Sequence, residues 1–193
     1  MPSLCATPAL RLGVLLVLLG VCGCAGTIIP PIDPVNPVTV AVADYGRHSS
    51  ILLPIAEDRM VEFAYGDWQW FALGDTRLHI GLGALIRSPQ ATLGRREITV
   101  PPEDPDFASQ IGVRRFFTFD AAADRVASLV QQLEERFARG GEPQLSHYSN
   151  LWMVPDDGTY HLFRNSNHFT AQSVEMLGAQ VRGPAITSGF RLR

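Results

Sequence analysis

Lysine is absent from this 193-residue chain, and cysteine is absent after Cys24. Every basic side chain is therefore arginine, and the net charge is only −3. Arg95-Arg96 and Arg114-Arg115 are isolated pairs that read as solvated strand ends. No basic stripe of the kind that holds nucleic acid is present, so nucleic acid is not an expected partner. Without cysteine past residue 24, a mature domain has no internal disulfide and no thiol nucleophile. His79, His147 and His161 show no paired metal spacing and have no cysteine to assist, so no metal is expected. Gly81-Leu82-Gly83 lacks the third glycine and preceding strand of a nucleotide loop. No cofactor is expected.

The chain starts with a leader. Arg11 precedes an apolar core from Leu12 to Val21. That core is shorter than the about 20 apolar residues a membrane span needs, and it reads as a signal peptide. Val21-Cys22-Gly23-Cys24 resembles a lipobox, with Cys24 as the acylated first residue of the mature chain. An ordinary cleaved signal and an uncleaved anchor are the alternatives. Residues 1–23 are thus expected to be a signal peptide. Residues 24–37 are expected to form a lipidated tether, stiffened by four prolines between Thr27 and Pro37. Residues 38–193 are expected to form one domain. Cleavage before Cys24 leaves about 170 residues, enough for a real core. Such a protein is exported and faces the periplasm or the cell exterior. A lipid joins it to a membrane that it does not cross.

Val38 to Ala43, Ser50 to Leu53 and Met60 to Tyr65 read as strands, the second stopped by Pro54. The second and third pair as a hairpin across Ala56 to Arg59. Trp68 to Phe71 and Thr76 to Ile86 are ambiguous between loop and short helix. Glu97 to Val100 and Arg115 to Phe119 are further strands. Asp120 is placed to cap a helix in which Val126, Leu129, Val130, Leu133 and Phe137 recur at helical spacing, stopped by Gly140-Gly141. Asp156-Asp157-Gly158 reads as a turn. Tyr160 to Phe163 reads as a short strand. Asn165 to Leu177 reads as a helix with Phe169, Ser173, Met176 and Leu177 on one side, ended by Gly178. Strands first, a long helix in the middle and a closing strand–helix unit favour the α+β class.

Three residues form a candidate catalytic set: His48 before an apolar strand, Glu62 in the next strand, and Ser166 in the first turn of the last helix. Unpaired N–H groups and the dipole at a helix N-terminus stabilise a developing oxyanion. An imidazole can take a hydroxyl proton, and a carboxylate can hold the imidazole in the useful tautomer. The plainer reading makes Ser166 a helix N-cap. Asn165 and Asn167 are either donors near an oxyanion or turn residues. Trp68, Trp70 and Phe71 are either core or a ledge for a ligand. Arg47 either receives an anionic group or is solvated. His168 points to another side of the helix from Ser166. His161 lies either beside the site or in a sheet.

Asn165-Ser166-Asn167-His168-Phe169 resembles the Asn-Cys-x-His-Phe signature of the circularly permuted, NlpC-like papain superfamily, which includes lecithin–retinol acyltransferase-like proteins. Ser166-Asn167-His168-Phe169-Thr170-Ala171 is also similar to the Cys-Asn-x-Trp-Thr-Ala helix start of a bacterial exported family. Two further motifs fit the same order: His48-Ser49-Ser50-Ile51-Leu52-Leu53-Pro54 and Glu62-Phe63-Ala64-Tyr65-Gly66-Asp67-Trp68. The resemblance spans roughly Val38 to Gly178. It implies a small antiparallel sheet packed against the nucleophile-position helix. It also implies chemistry on amides or esters, of peptidoglycan peptides or of lipid acyl groups. By position Ser166 stands for the nucleophile, His48 for the base and Glu62 for the orienting group. The nucleophile position carries serine where the family has cysteine. A thiol ionises readily beside an imidazole at a helix N-terminus, whereas an alcohol needs a well-placed general base. The resemblance therefore leaves two functions open. One is a degenerate site that binds an amide- or ester-containing envelope ligand. The other is a serine hydrolase or acyltransferase.

Overall fold

A computed structural model of the chain describes residues 26–74, 90–113, 115–186 and 188–193. Its frame is a seven-stranded antiparallel sheet. The strands are β2 (Pro37–Asp44), β3 (Ser49–Ala56), β4 (Arg59–Asp67), β5 (Ala91–Ile98), β6 (Arg115–Ala122), β7 (Gln144–Ser146) and β8 (Leu151–Asp156). Their order across the sheet is β6-β2-β3-β4-β5-β8-β7. The β-branched run Val38-Thr39-Val40 suits the pleated surface of β2. Gly46, at φ 89°, supplies the left-handed residue in the turn to β3. The expected hairpin between β3 and β4 is present, with Ser50 opposite Ala64 and Leu52 opposite Glu62. Pro54 does not stop β3. A register shift between Pro54 and Ala56 absorbs the missing N–H donor, and the strand runs on to Ala56. β5 begins at Ala91, well before the expected Glu97, and pairs with β8, which no alternation in the sequence announced.

One face of this sheet is covered by two helices, α2 (Ala123–Arg139) and α3 (Ser166–Met176). Val126, Leu129 and Leu133 of α2 are buried, and Val130 and Phe137 pack beside them, as their spacing predicts. Asp120 is not the cap of α2. It pairs with Thr39 inside β6, and the helix starts at Ala123 behind Ala122, which has no capping side chain. Gly140 and Gly141 (φ 89°) end α2, and Gly178 (φ 93°) follows the end of α3. Phe169 and Ser173 of α3 and Leu177 just after it are buried, whereas Met176 is exposed. Ile51, Leu53, Val61, Phe63 and Leu93 meet these helices in the main core. On the opposite face the five-residue helix α1 (Phe107–Ile111) covers Ala41, Ala43, Leu52 and Met60.

A second, three-stranded sheet joins β1 (Thr27–Ile29), β9 (Gln180–Arg182) and β10 (Arg191–Leu192), in the order β10-β1-β9. It corrects the expectation of a free tether over residues 24–37. From Thr27 onward that stretch is bound into the fold, because β1 has two strand partners and Ile28 is fully buried in the main core. The domain thus begins before residue 38. Tyr160 to Phe163 is not a strand. His161 and Arg164 form one bridge around a tight turn whose Leu162 and Phe163 have no neighbouring strand. Cys24, the leader, Thr76 to Ile86 and Gly81-Leu82-Gly83 lie outside the described residues. Among the described residues, no helix is long and apolar enough to cross a membrane.

Candidate functional site

His48 is positioned by the turn between β2 and β3. Tyr45 N–H donates to the His48 carbonyl at 3.0 Å, and Gly46 N–H donates to Asp44 Oδ1 at 2.8 Å. The turn brings the Tyr45 and His48 rings into a parallel stack, with centroids 4.6 Å apart and planes 7° apart. The Phe71 ring meets the imidazole in a T-shaped contact, with centroids 5.2 Å apart. Phe71 belongs to a π-helical turn (Trp68–Ala72) capped by Asp67, whose carboxylate accepts from Trp70 N–H at 2.7 Å. The glycine at position 66 is required there, because a Cβ would strike the Phe71 ring. Burial pulls the His48 imidazole below its ordinary pKa, against an opposing pull from Glu62 and Asp44. At neutral pH it is uncharged.

Glu62 is fully buried in the middle of β4. The Tyr45 hydroxyl and the Ser50 hydroxyl each donate to its Oε1 at 2.6 Å. Arg96, its neighbour across the ladder, donates to Oε2 through Nε at 3.0 Å and also through Nη2. Arg96 further donates to the Ile111 carbonyl at 3.1 Å. Burial opposes the Arg96 charge, yet Glu62 holds its pKa above the usual value. The Tyr45 phenol is pushed upward, by burial first and then by Glu62. Arg96 is thus no solvated strand end; its side chain is 12% exposed and serves as the counter-ion of a buried carboxylate. An acid inside an apolar strand demands such a partner, and that demand was the signal that could have found Arg96.

Ser166 is the first helical residue of α3 and is 1% exposed. It is not the N-cap. Asn165 takes that role, its Oδ1 accepting from the Asn167 and His168 N–H groups at 2.9 and 3.1 Å. The Asn165 amide donates to the Leu162 carbonyl at 2.9 Å. Asn167 fixes the helix start from the other side. Its Nδ2 donates to the Ile186 carbonyl at 3.0 Å, and its Oδ1 accepts from the Ser49 hydroxyl at 2.9 Å. Ser49 also reaches the Thr170 hydroxyl at 3.0 Å. The start of β3 is thereby tied to the first turn of α3: the residue after His48 is bonded to the residue after Ser166. The Ser166 hydroxyl itself is buried without a hydrogen-bond partner of good geometry. The Tyr160 phenol lies beside it, with its pKa pushed up to about 12, mainly by burial and against hydrogen bonding with Ser166.

The set His48, Glu62 and Ser166 is therefore brought together only in part. Among the described residues, no hydrogen bond joins His48 to Ser166 or to Glu62. Glu62 lies on the sheet face away from the helices, with Ser50 and Leu52, because side chains alternate along β3 and β4. Trp68 is half-buried and packs against Ala64, Ala72, Leu151 and Met153. Arg47 is exposed in the turn. His168 turns back onto Asn165, with Nδ1 3.0 Å from Oδ1. His161 Nδ1 accepts from Phe163 N–H at 3.2 Å within its own turn. Among the described residues, no group of histidine and acidic side chains could hold a metal ion. Tyr45, Ser49, Ser50 and Tyr160 escaped sequence reasoning, since each is ordinary in strand or turn until the partner it meets is known.

No family model matches the chain, and no curated protein or solved structure is significantly similar to it.

Proposed function

We propose that this is an exported, lipid-anchored domain of permuted papain-like type with a degenerate site, which binds an amide- or ester-containing ligand of the cell envelope. The early imidazole, the late helix-start hydroxyl and the Ser49–Asn167 bond that ties their neighbours together support the architecture. The observation that carries the reading is the engagement of Glu62. Its two oxygens are taken by Tyr45, Ser50 and Arg96, so none is left to orient His48. A neutral imidazole without an orienting carboxylate activates an alcohol poorly. Burial of the Ser166 hydroxyl also keeps an incoming carbonyl from it.

A serine hydrolase or acyltransferase is the second reading. It is favoured by one observation: the Ser166 hydroxyl is not spent on capping and, in a buried setting, has only the Tyr160 phenol beside it. A fluorophosphonate probe separates the two. The binding reading expects no labelling of the wild type, and a muropeptide or lipid titration that shifts the His48 ring resonances. Rapid labelling that disappears in both Ser166→Ala and His48→Ala establishes the enzyme instead.

A further inference from the structure

Away from the His48 region, the C-terminal end of α2 and the turn leading into α3 enclose a cleft of about 220 Å³. Three guanidinium groups line it, from Arg136, Arg139 and Arg164, together with Asp156, Asp157 and Gly158. Arg136 is committed internally. It forms a two-pronged pair with Asp156, at 2.6 and 2.8 Å, and lies over the rings of Tyr65 and Phe169. Asp156, expected to be only a turn residue, is thus neutralised, and Gly158 N–H also donates to it at 3.2 Å. Arg139 and Arg164 are exposed and have no ion-pair partner among the described residues. Asp157, exposed in the turn, is the one carboxylate of the lining without a guanidinium partner. Beside Gly158 the Tyr65 hydroxyl is buried and faces Arg164. Gly158 lets both pack close to the backbone: a Cβ there would lie 2.6 Å from that hydroxyl and 2.9 Å from Arg164 Nη2.

The wall formed by Arg164 carries a second feature. His161 and Arg164 close a tight turn through N–H···O bonds of 3.2 and 2.8 Å, and its two tip residues are Leu162 and Phe163. Both are exposed, Phe163 at 69%. An apolar tip closed by two backbone bonds, next to arginines without an ion-pair partner over a cleft, suits a surface that is itself apolar beneath and anionic above.

We infer that this face docks onto an anionic phospholipid surface, with a headgroup phosphate in the cleft between Arg139 and Arg164 and with Leu162 and Phe163 in the acyl boundary. Arginine matches the geometry of phosphate oxygens in pairs. The contact is independent of the His48 region and of catalysis.

Vesicle co-sedimentation of the full chain tests this, with vesicles of phosphatidylcholine alone and in equal parts with phosphatidylglycerol. The leader is common to all variants, so the readout is the preference for anionic over neutral vesicles. The wild type is expected to prefer anionic vesicles and to lose the preference at high salt. Arg139→Gln/Arg164→Gln is expected to lower that preference by about fivefold per arginine, on the order of 25-fold together. Arg139→Lys/Arg164→Lys is expected to retain most of it. Leu162→Ser/Phe163→Ser is expected to weaken binding to both vesicle types. Arg59→Gln, at the far end of β4 from Tyr65, is expected to change nothing. Equal partition of the wild type onto the two vesicle types overturns the proposal, as does a preference that survives the glutamine pair or falls equally in Arg59→Gln. Binding of inorganic phosphate without any vesicle preference also overturns it, and marks a site for a free anion.

Discussion

The two faces of the seven-stranded sheet are built on different principles. The helix-covered face is mainly apolar, with Ile51, Leu53, Val61 and Phe63 against Phe169, Val174, Leu129 and Leu133, and with the Ser49–Asn167 bond at its edge. The opposite face has smaller apolar patches and, between them, the closed network of Glu62, Arg96, Tyr45 and Ser50. The first face supplies most of the stability, since apolar burial is favourable in proportion to area. The second sets positions, because a buried ion pair adds little net stability yet is costly to break. His48 takes its orientation from the second face through the Tyr45 ring, and the Ser166 helix takes its place from the first.

The largest test of this contrast is Phe63→Ala, fully buried on the helix side. It is expected to cost about 4 kcal/mol in urea unfolding. On the other face, Arg96→Ala leaves Glu62 charged and enclosed, and is expected to cost about 3 kcal/mol. The double variant Glu62→Leu/Arg96→Met should recover most of that loss, while freeing the Tyr45 ring and so broadening the His48 resonances. If the double variant is no more stable than Arg96→Ala, the network is a source of stability and the contrast fails. Asn165→Ala removes the cap of α3 and is expected to cost about 1 kcal/mol by thermal unfolding. The same change should loosen the Ser166 turn, read as faster amide exchange at Asn167 and His168.

The smallest effect is a pH dependence. The folded pKa of His48 lies below the unfolded value of about 6.5. Between the two the unfolded chain binds more protons, so stability rises with pH through that window. His168 is depressed in the same direction by burial, with His161 adding to it, and contributes likewise. Stability compared just above and below pH 6.5 should therefore fall on acidification in the wild type. It should fall less in His48→Phe, with the His168 share remaining. An unchanged slope in that variant would show that His48 is not held neutral by the opposite face.

Legibility in the sequence followed locality. β2, the hairpin of β3 and β4, the buried spacing of α2, and α3 with its flanking glycine were readable, because period, branching and turn residues act over a few positions. β1, β7, β8, β9 and β10 were not. Each is short or lacks clean alternation and is stabilised by partners distant in the chain, as Ile28 is by burial in the main core. Asp120 misled because it suits a cap, yet its ladder pairing in β6 outweighed that local preference. At the candidate site the residue types His48, Glu62 and Ser166 were legible, but their partners were not.

The amino-acid order alone determined that one α+β domain forms, that its second half carries two amphipathic or buried helices, and that the chain past Cys24 has no thiol. Those outcomes depend on composition and short-range periodicity. Only the tertiary structure decided that Glu62 turns to Arg96 and away from His48, that Asn165 and not Ser166 caps the last helix, and that Arg136 is bound in an ion pair while Arg139 and Arg164 form none among the described residues. The physical reason is that a polar side chain's role is set by which partner shares its burial, and sheet register brings those partners together across tens of residues.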